Sequence, residues 1–189
     1  MGLTLIKTLT ADDDSELEFI DGSDDVVLDN TYNEYQFYFV NIQPDTNADI
    51  LSFQVDVVDG TTYGQSITST TFEAEHDEGD TGTALQYRSN RDQSNDAEYQ
   101  QLSEYIYNSA GDESASGVLT LYDPSNPTYL KHWMSVVNAY GNDVSQVSYH
   151  AGYIHQTSAI DRIRFAMTIN DMSISGNIST GTIYMYGVS

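Results

Sequence analysis

Apolar residues recur at every second position in short runs along this chain, and this alternation restricts its fold more than any other feature. In residues 35–42 both alternating sets are largely apolar, which is typical of a strand inside a sheet. In residues 51–58 apolar residues alternate with polar ones, which predicts one buried and one solvated face. Asp59-Gly60 is a turn signal after this run. With Pro44 in the connection, the two runs are predicted to form an antiparallel pair.

Further runs of the same kind bring the total to about a dozen strands. They cover residues 4–9, 16–20, 66–72, 84–87, 102–108, 118–122, 129–138, 144–154, 160–169 and 182–186. Residues 97–106 also fit an amphipathic helix, but a strand that pairs with residues 118–122 is the favoured interpretation. Many strands with turn signals between them, and no regular alternation with helices, predict an antiparallel sandwich or barrel rather than a parallel α/β fold.

The chain carries 29 acidic and 6 basic side chains, for a net charge of −23. Phosphate binding needs clustered lysine and arginine, so nucleic acid and membranes are not expected as partners. Aromatic residues make up 12% of the chain, which is too many for a disordered acidic tail. The absence of cysteine excludes disulfides, thiolate nucleophiles and cysteine-ligated metals. No membrane helix or signal peptide is apparent, so we expect a soluble protein made in a cytoplasm.

The acidic residues are concentrated in the first half of the chain. Residues 1–98 hold 22 acids and 3 bases, whereas residues 99–189 hold 7 acids and 3 bases. Two runs stand out, with nine carboxylates in residues 12–29 and five in residues 73–80. Such oxygens could bind Ca²⁺, but neither run has the spacing of a calcium loop, so solvated acidic loops are the favoured interpretation and no metal site is predicted.

Candidate catalytic or binding side chains are few. His150 and His155 are five residues apart in a predicted strand, so their side chains should lie on opposite faces and not share an ion. His76 and His132 are interpreted as surface or packing residues. No hydrolase, metalloprotease or phosphate-binding motif occurs, so no catalytic residue and no cofactor is predicted. Trp133 would fill the core or, in the alternative interpretation, stack on a sugar ring; we favour the core.

A short repeat links two segments near the end of the chain. Residues 116–122 (SGVLTLY) and 180–186 (TGTIYMY) share a hydroxyl residue, a glycine, an alternating aliphatic pair and a tyrosine. The segments are either similar hairpin exits or equivalent strands of two Greek-key halves. Between them, residues 160–165 predict a strand, and Gly176 and Gly181 bracket a turn in which they permit positive φ angles.

The C-terminal part of the chain resembles a family of tailed-bacteriophage virion proteins, which end in a strand, a GN-I-x-x-G-x-I turn and a terminal L-Y-G. The resemblance covers about residues 32–189. The chain departs from the family pattern in two places. Residues 166–174 form a longer link before the C-terminal turn than is usual in the family. The turns after the early strands match the family pattern only at residues 59–60 and 63–64. The positions that carry it are Gly117, Tyr122, Pro124, Gly176, Asn177, Gly181, Tyr186 and Gly187.

The resemblance implies an all-β, antiparallel jelly-roll β-sandwich over residues 31–189, with residues 1–30 as a short N-terminal arm or as edge strands carrying the acidic run. It further implies a non-enzymatic capsid decoration (cement) protein on the phage particle surface, made in the host cytoplasm. Its partners would be the major capsid protein or other virion proteins, and its oligomer a homotrimer. The alternatives are a tail-fibre or receptor-binding module that uses Trp133 on host glycan, and a polysaccharide hydrolase.

Overall fold

The computed structural model describes residues 2–58, 60 and 62–189, so Asp59 of the predicted 59–60 turn lies outside the described residues. The described residues form thirteen strands. They are β1 (Leu3–Thr10), β2 (Leu17–Ile20), β3 (Glu34–Pro44), β4 (Ile50–Val57), β5 (Ile67–Asp77), β6 (Thr83–Tyr87), β7 (Ser94–Asp96), β8 (Gln100–Gln101), β9 (Ala115–Tyr122), β10 (Lys131–Gly141), β11 (Val144–Ile154), β12 (Ile160–Thr168) and β13 (Ile178–Val188). Across these residues no helix is long and apolar enough to cross a membrane.

The strands form two antiparallel sheets. The larger sheet has nine strands in the order β1-β13-β3-β9-β10-β11-β5-β6, with β7 also paired to β5, and the smaller sheet has the order β2-β12-β4-β8. Every strand pairing is antiparallel. The predicted all-β, antiparallel, sandwich-like fold is confirmed.

Aromatic rings from both sheets meet in the core. Phe19 of β2 and Phe165 of β12 pack against Phe37 of β3, with ring centroids 5.4 and 5.5 Å from it. Phe39 of β3 lies 5.2 Å from Phe165. All four rings are buried, and edge-on contacts of this kind stabilise a core beyond the apolar area that they bury. The alternation in residues 35–42 therefore places one aromatic set of β3 between the sheets, and β3 is internal to its sheet, as predicted.

The predicted pairing of residues 35–42 with residues 51–58 is wrong, because β3 and β4 lie in different sheets. The prediction of a wet face on β4 is also wrong, since Ser52, Gln54 and Asp56 are at most 1% exposed. The segment that leads into β8 covers this face, and Gln54 Nε2 donates to the carbonyls of Ala97 (3.1 Å) and Glu98 (2.8 Å).

Two other local predictions need correction. Residues 102–108 are not a strand, and β9 pairs with β3 and β10 instead. Leu102 and Ile106 are nevertheless fully buried, because an irregular segment can direct apolar side chains inward as well as a strand does. In β12 a register shift between Ile160 and Arg162 breaks the strict alternation, so that Ile160 and Ile163 both reach the core.

The N-terminal strands occupy sheet edges. β1 pairs with β13 at one edge of the larger sheet, and β2 pairs with β12 at one edge of the smaller sheet. The acidic run lies in and around β2 and its flanking loops. The two repeat segments, β9 and β13, lie on either side of β3 and are both antiparallel to it.

Candidate interaction surface

The two acidic runs differ in their surroundings. No carboxylate between Asp12 and Asp29 is buried, as predicted for solvated loops. In the second run Glu73 is only 1% exposed, so the expectation that these acidic residues all face solvent is wrong there. Glu73 lies within β5, where strand alternation directs its side chain inward. Among the described residues, no group of three or more histidine, aspartate or glutamate side chains is arranged to hold a metal ion.

The histidines do not form a common site. His150 is buried in β11 and its Nδ1 lies 2.9 Å from Thr71 Oγ1, whereas His155 is exposed beyond the end of that strand. Their predicted separation onto opposite faces is therefore confirmed. Burial lowers the pKa of His150 to about 4, so its imidazole is neutral at pH 7. His76 is exposed and contacts Asp80 at 3.1 Å.

Trp133 is a core residue. Its side chain is 1% exposed, and its ring centroid lies 5.1 Å from that of Phe53 across the two sheets. The alternative interpretation, in which Trp133 stacks on a sugar, is wrong, since a fully covered indole offers no face to a ligand. Strand alternation explains the position, because Trp133 shares the inward set of β10 with Val137 and Ala139.

The glycines of the C-terminal signature sit where backbones or rings approach closely. A Cβ on Gly117 would lie 2.3 Å from the carbonyl oxygen of Val136 on the next strand. A Cβ on Gly187 would meet the ring of Tyr32 at 2.3 Å. Gly181 has a φ of +120°, the region that favours glycine. Gly176 lacks a positive φ in this structure, and its role is spatial, since a Cβ there would lie 2.1 Å from Asp45 Oδ1.

The remaining signature residues also have structural positions. Asn177 joins two loops, since its backbone N–H donates to Asp45 Oδ1 (2.7 Å) and its Nδ2 donates to the Asp13 carbonyl (3.0 Å). The buried Pro124 accepts a hydrogen bond from the Ile160 N–H. Tyr122 and Tyr186 point outward on the larger sheet. The signature therefore maps mainly to loop closure and strand contact.

A buried ionic cluster, which no sequence pattern predicted, lies within residues 88–104 and reaches the larger sheet through the contact of Arg88 with Glu73 of β5. Arg91 is 1% exposed and donates from Nε (2.9 Å) and Nη2 (2.8 Å) to the two oxygens of Glu104. Its Nη1 donates to Gln101 and Asn170. Arg88 contacts both Glu104 (2.8 Å) and Glu73 (3.0 Å).

The two carboxyl groups of this cluster have opposite pKa shifts. Burial and the neighbouring Glu104 raise the pKa of Glu73 to about 7. Burial alone would raise the pKa of Glu104, but the hydrogen bonds and charge of Arg91 lower it to about 2. Glu104 is thus the ionised partner of Arg91, and its side chain is enclosed by protein. This arrangement serves to hold the chain segment in place.

A broad exposed feature is the outer face of the larger sheet, which we define as the outward-pointing side chains of all its strands except β7. Register aligns a row of apolar and aromatic residues across seven of these strands. From β13 to β6 the row contains Tyr184, Tyr38, Val118, Val136, Tyr149, Phe72 and Tyr87. Phe72 and Tyr149 stack in parallel at 4.8 Å, and Phe72 remains 47% exposed.

Neighbouring rows of the outer face are also uncharged for the most part. Met134, next to the central row on β10, is 53% exposed, and Leu85 on β6 is 75% exposed. Among the outward-pointing strand residues that the structure describes, Glu34 at one corner is the single carboxylate, in a chain with 29 acids. Isolated exposed apolar side chains are ordinary, but a contiguous patch of this kind marks a contact surface.

Two shallow cavities lie on this outer face. One, of about 410 Å³, is lined by Leu3, Tyr38, Val40, Tyr184 and Tyr186. The other, of about 170 Å³, lies over β5, β10 and β11 and includes Phe72, Met134 and Tyr149 in its lining. The outer face therefore offers hollows for bulky apolar side chains at both ends of its central row.

Carboxylates collect beyond one end of the outer face, which we call the acidic end. It comprises the β5–β6 turn, the β10–β11 turn and the loop before β9, with Asp77, Glu78, Asp80, Asp112, Glu113 and Asp143. The turns meet where the Glu78 N–H donates to the Asp143 carbonyl (2.9 Å). The negative charges of Glu78, Asp143 and Asp112 raise the pKa of the partly exposed Tyr140.

The sequence carried a partial signal for the outer face. In residues 35–42, Tyr38 and Val40 belong to the second of the two alternating apolar sets. In β10, Met134 and Val136 are apolar at the positions that alternate with Trp133 and Val137. The set in residues 35–42 predicted a strand inside a sheet, but a period-2 pattern cannot distinguish a face covered by its own chain from one left open. Comparison of the chain with protein-family models, curated proteins and solved structures found no match in any of the three.

Proposed function

We propose that this protein is a jelly-roll structural component of a tailed-bacteriophage particle, and that it acts without catalysis as a decoration protein on the outer surface of the head. The observation that carries the proposal is the exposed outer face, because an uncharged aromatic surface on a chain of charge −23 is built for protein contact. The phage particle is proposed because residues 175–188 resemble the C-terminal motif of virion proteins.

The strand pairings support a jelly roll. When a long antiparallel hairpin of eight strands rolls into two sheets, the first strand pairs with the last, the second with the seventh, and so on inward. With β1, β2, β3, β4, β8, β9, β12 and β13 as the eight strands, the expected pairs are β1–β13, β2–β12, β3–β9 and β4–β8. All four pairings are present. On this description β5–β7 and β10–β11 are insertions that widen one sheet.

A decoration protein stabilises a shell by mass action, because it binds the assembled subunits and not the dissociated ones. The outer face supplies apolar area for such contacts, and the acidic loops around β2 remain free to face solvent. The major capsid protein or another virion protein is the proposed partner. The virion surface is the proposed location.

The test compares particles that lack this protein with particles to which it has been added back. We expect the depleted particles to release DNA at a lower temperature, and we expect the added protein to restore the wild-type profile. The matched control is the Val136→Asp variant, which should not restore it. An unchanged release profile after depletion would contradict the proposal.

A tail-fibre or receptor-binding module is the second candidate, and the cavity of Tyr38, Tyr184 and Tyr186 favours it. Exposed tyrosine rings can cover the apolar face of a sugar, and this cavity replaces Trp133 as the place where a glycan could bind. Glycan-array binding that is lost in Tyr184→Ser would support this candidate. The number of copies per particle separates the two, since a decoration protein is present in many copies and a fibre in few.

A further inference from the structure

We propose that the outer face is covered by the outer face of a second copy of this chain, so that two copies pair sheet against sheet around a two-fold axis that runs across the strands. The inference rests on the proposed function in one respect, since it names the partner that occupies the same surface before the protein binds to a particle. It concerns the isolated protein, however, and can be tested without a particle.

The area of the outer face matches what a stable pair needs. Eight strands about 4.8 Å apart span about 38 Å, and three rows of outward-pointing side chains about 6.8 Å apart extend the face over about 20 Å along the strands. The product is about 750 Å² for each copy, close to the ~800 Å² that each partner buries in a standard specific interface.

The chemistry of the outer face also suits a second copy. In a sandwich, two sheets pack through side chains that alternate inward, with apolar and aromatic groups in the shared layer. Each copy would contribute the row centred on Val136 and Tyr149, with no charge within it. The exposed side chains of Met134 and Phe72 on one copy lie opposite the β5, β10 and β11 region of the other, which contains the second cavity, because a two-fold axis across the strands places each strand over its own copy.

The placement of charge selects the direction of the axis. An axis parallel to the strands would bring the two acidic ends together. An axis across the strands instead sets the acidic end of one copy over the opposite end of the other, where His132 and Tyr153 point outward with rings 6.2 Å apart and Glu34, at the corner, is the single strand carboxylate. The net charge of each copy still opposes association, so added salt should strengthen the pair by screening that repulsion.

Sedimentation equilibrium of the purified full chain, at low and at high salt, tests the inference. We expect a monomer–dimer equilibrium that tightens severalfold as salt rises. Val136→Asp should weaken dimerisation about tenfold or more, because it buries a carboxylate in the centre of the contact. Asn30→Asp adds the same charge to an exposed loop away from the outer face and should dimerise as the wild type does.

Tyr149→Thr is the second variant, since threonine suits a strand and keeps the fold intact if Val136→Asp does not. It should also weaken the dimer. A wild-type protein that stays monomeric, forms a trimer, or associates less strongly at high salt would overturn the inference, as would a Tyr149→Thr variant with wild-type affinity. A monomer that still restores particle stability would refute the two-fold pair and leave the proposed function standing.

Discussion

Replacing Arg91 by methionine tests how much the buried ionic cluster of residues 88–104 stabilises the fold. The substitution removes four hydrogen bonds, two of them to Glu104, and leaves that carboxylate, which is 1% exposed, with Arg88 as its one remaining cationic partner. Loss of one partner from a buried ion pair destabilises a protein by about 3–5 kcal/mol. In a chain of this size, that corresponds to a melting temperature about 10 °C lower.

Urea unfolding measures this loss through the fluorescence of Trp133, the single tryptophan of the chain, which is buried against Phe53. Arg91→Met/Glu104→Gln should recover part of the stability, because the second change removes a buried carboxylate whose one remaining cationic partner is the partly exposed Arg88. Arg162→Met is the control, since its ion pair with Asp161 is partly exposed and should contribute less than about 1 kcal/mol. An Arg91→Met variant within about 1 kcal/mol of the wild type would contradict this role for the cluster. So would a double variant as unstable as the sum of the two single variants.

Three more outcomes follow from the structure. Gly176→Ala should lower the free energy of unfolding by about 1–3 kcal/mol, because its Cβ would overlap Asp45 Oδ1, whereas Gly79→Ala, with no atom closer than 3.7 Å, should not. Lys131→Met should lower the free energy of unfolding by about 2–4 kcal/mol, because it leaves the carbonyls of Asn126, Tyr129 and Thr157 without the buried ammonium that donates to them. Unfolding in urea at pH 7 measures the Gly176 and Lys131 variants. The pKa of His150 in the folded state is about 4, so between pH 6.5 and pH 4 the imidazole is protonated in the unfolded state and neutral in the folded one. The free energy of unfolding should therefore fall by about 3 kcal/mol over this range. His150→Asn should make the free energy of unfolding less dependent on pH there.

Local alternation was sufficient to predict most strands. Residues 144–154 were predicted as a strand, and β11 has these bounds. In β10 the alternation of buried and exposed residues holds from Lys131 to Ala139. Trp133 lies an even number of positions from Val137 and Ala139, so the alternation predicts that it is buried with them. These features depend on the geometry of one strand, which a sequence pattern reports directly.

Pairing and long-range contacts were harder to predict. The short connection after Pro44 is typical of a hairpin, but β3 and β4 lie in different sheets. β3 pairs with β13 and β4 pairs with β12, and both partners are distant in the sequence. The Arg91–Glu104 pair has no sequence signature, since an arginine in a polar loop looks the same whether it is buried or solvated. The outer face is visible only once the register aligns Tyr38, Val136 and Phe72 across strands that are distant in sequence.

Hydroxyl-radical labelling shows whether the outer face is a protein contact surface. Met134 is 53% exposed in the isolated chain and Tyr129, in the loop before β10, is 68% exposed. When labelling of a dilute monomeric sample is compared with that of the protein on intact particles, we expect strong protection of Met134, Phe72 and Tyr149, with Tyr129 labelled to a similar extent in both. Equal labelling of Met134 in the two samples would mean that the outer face is not a contact surface on the particle.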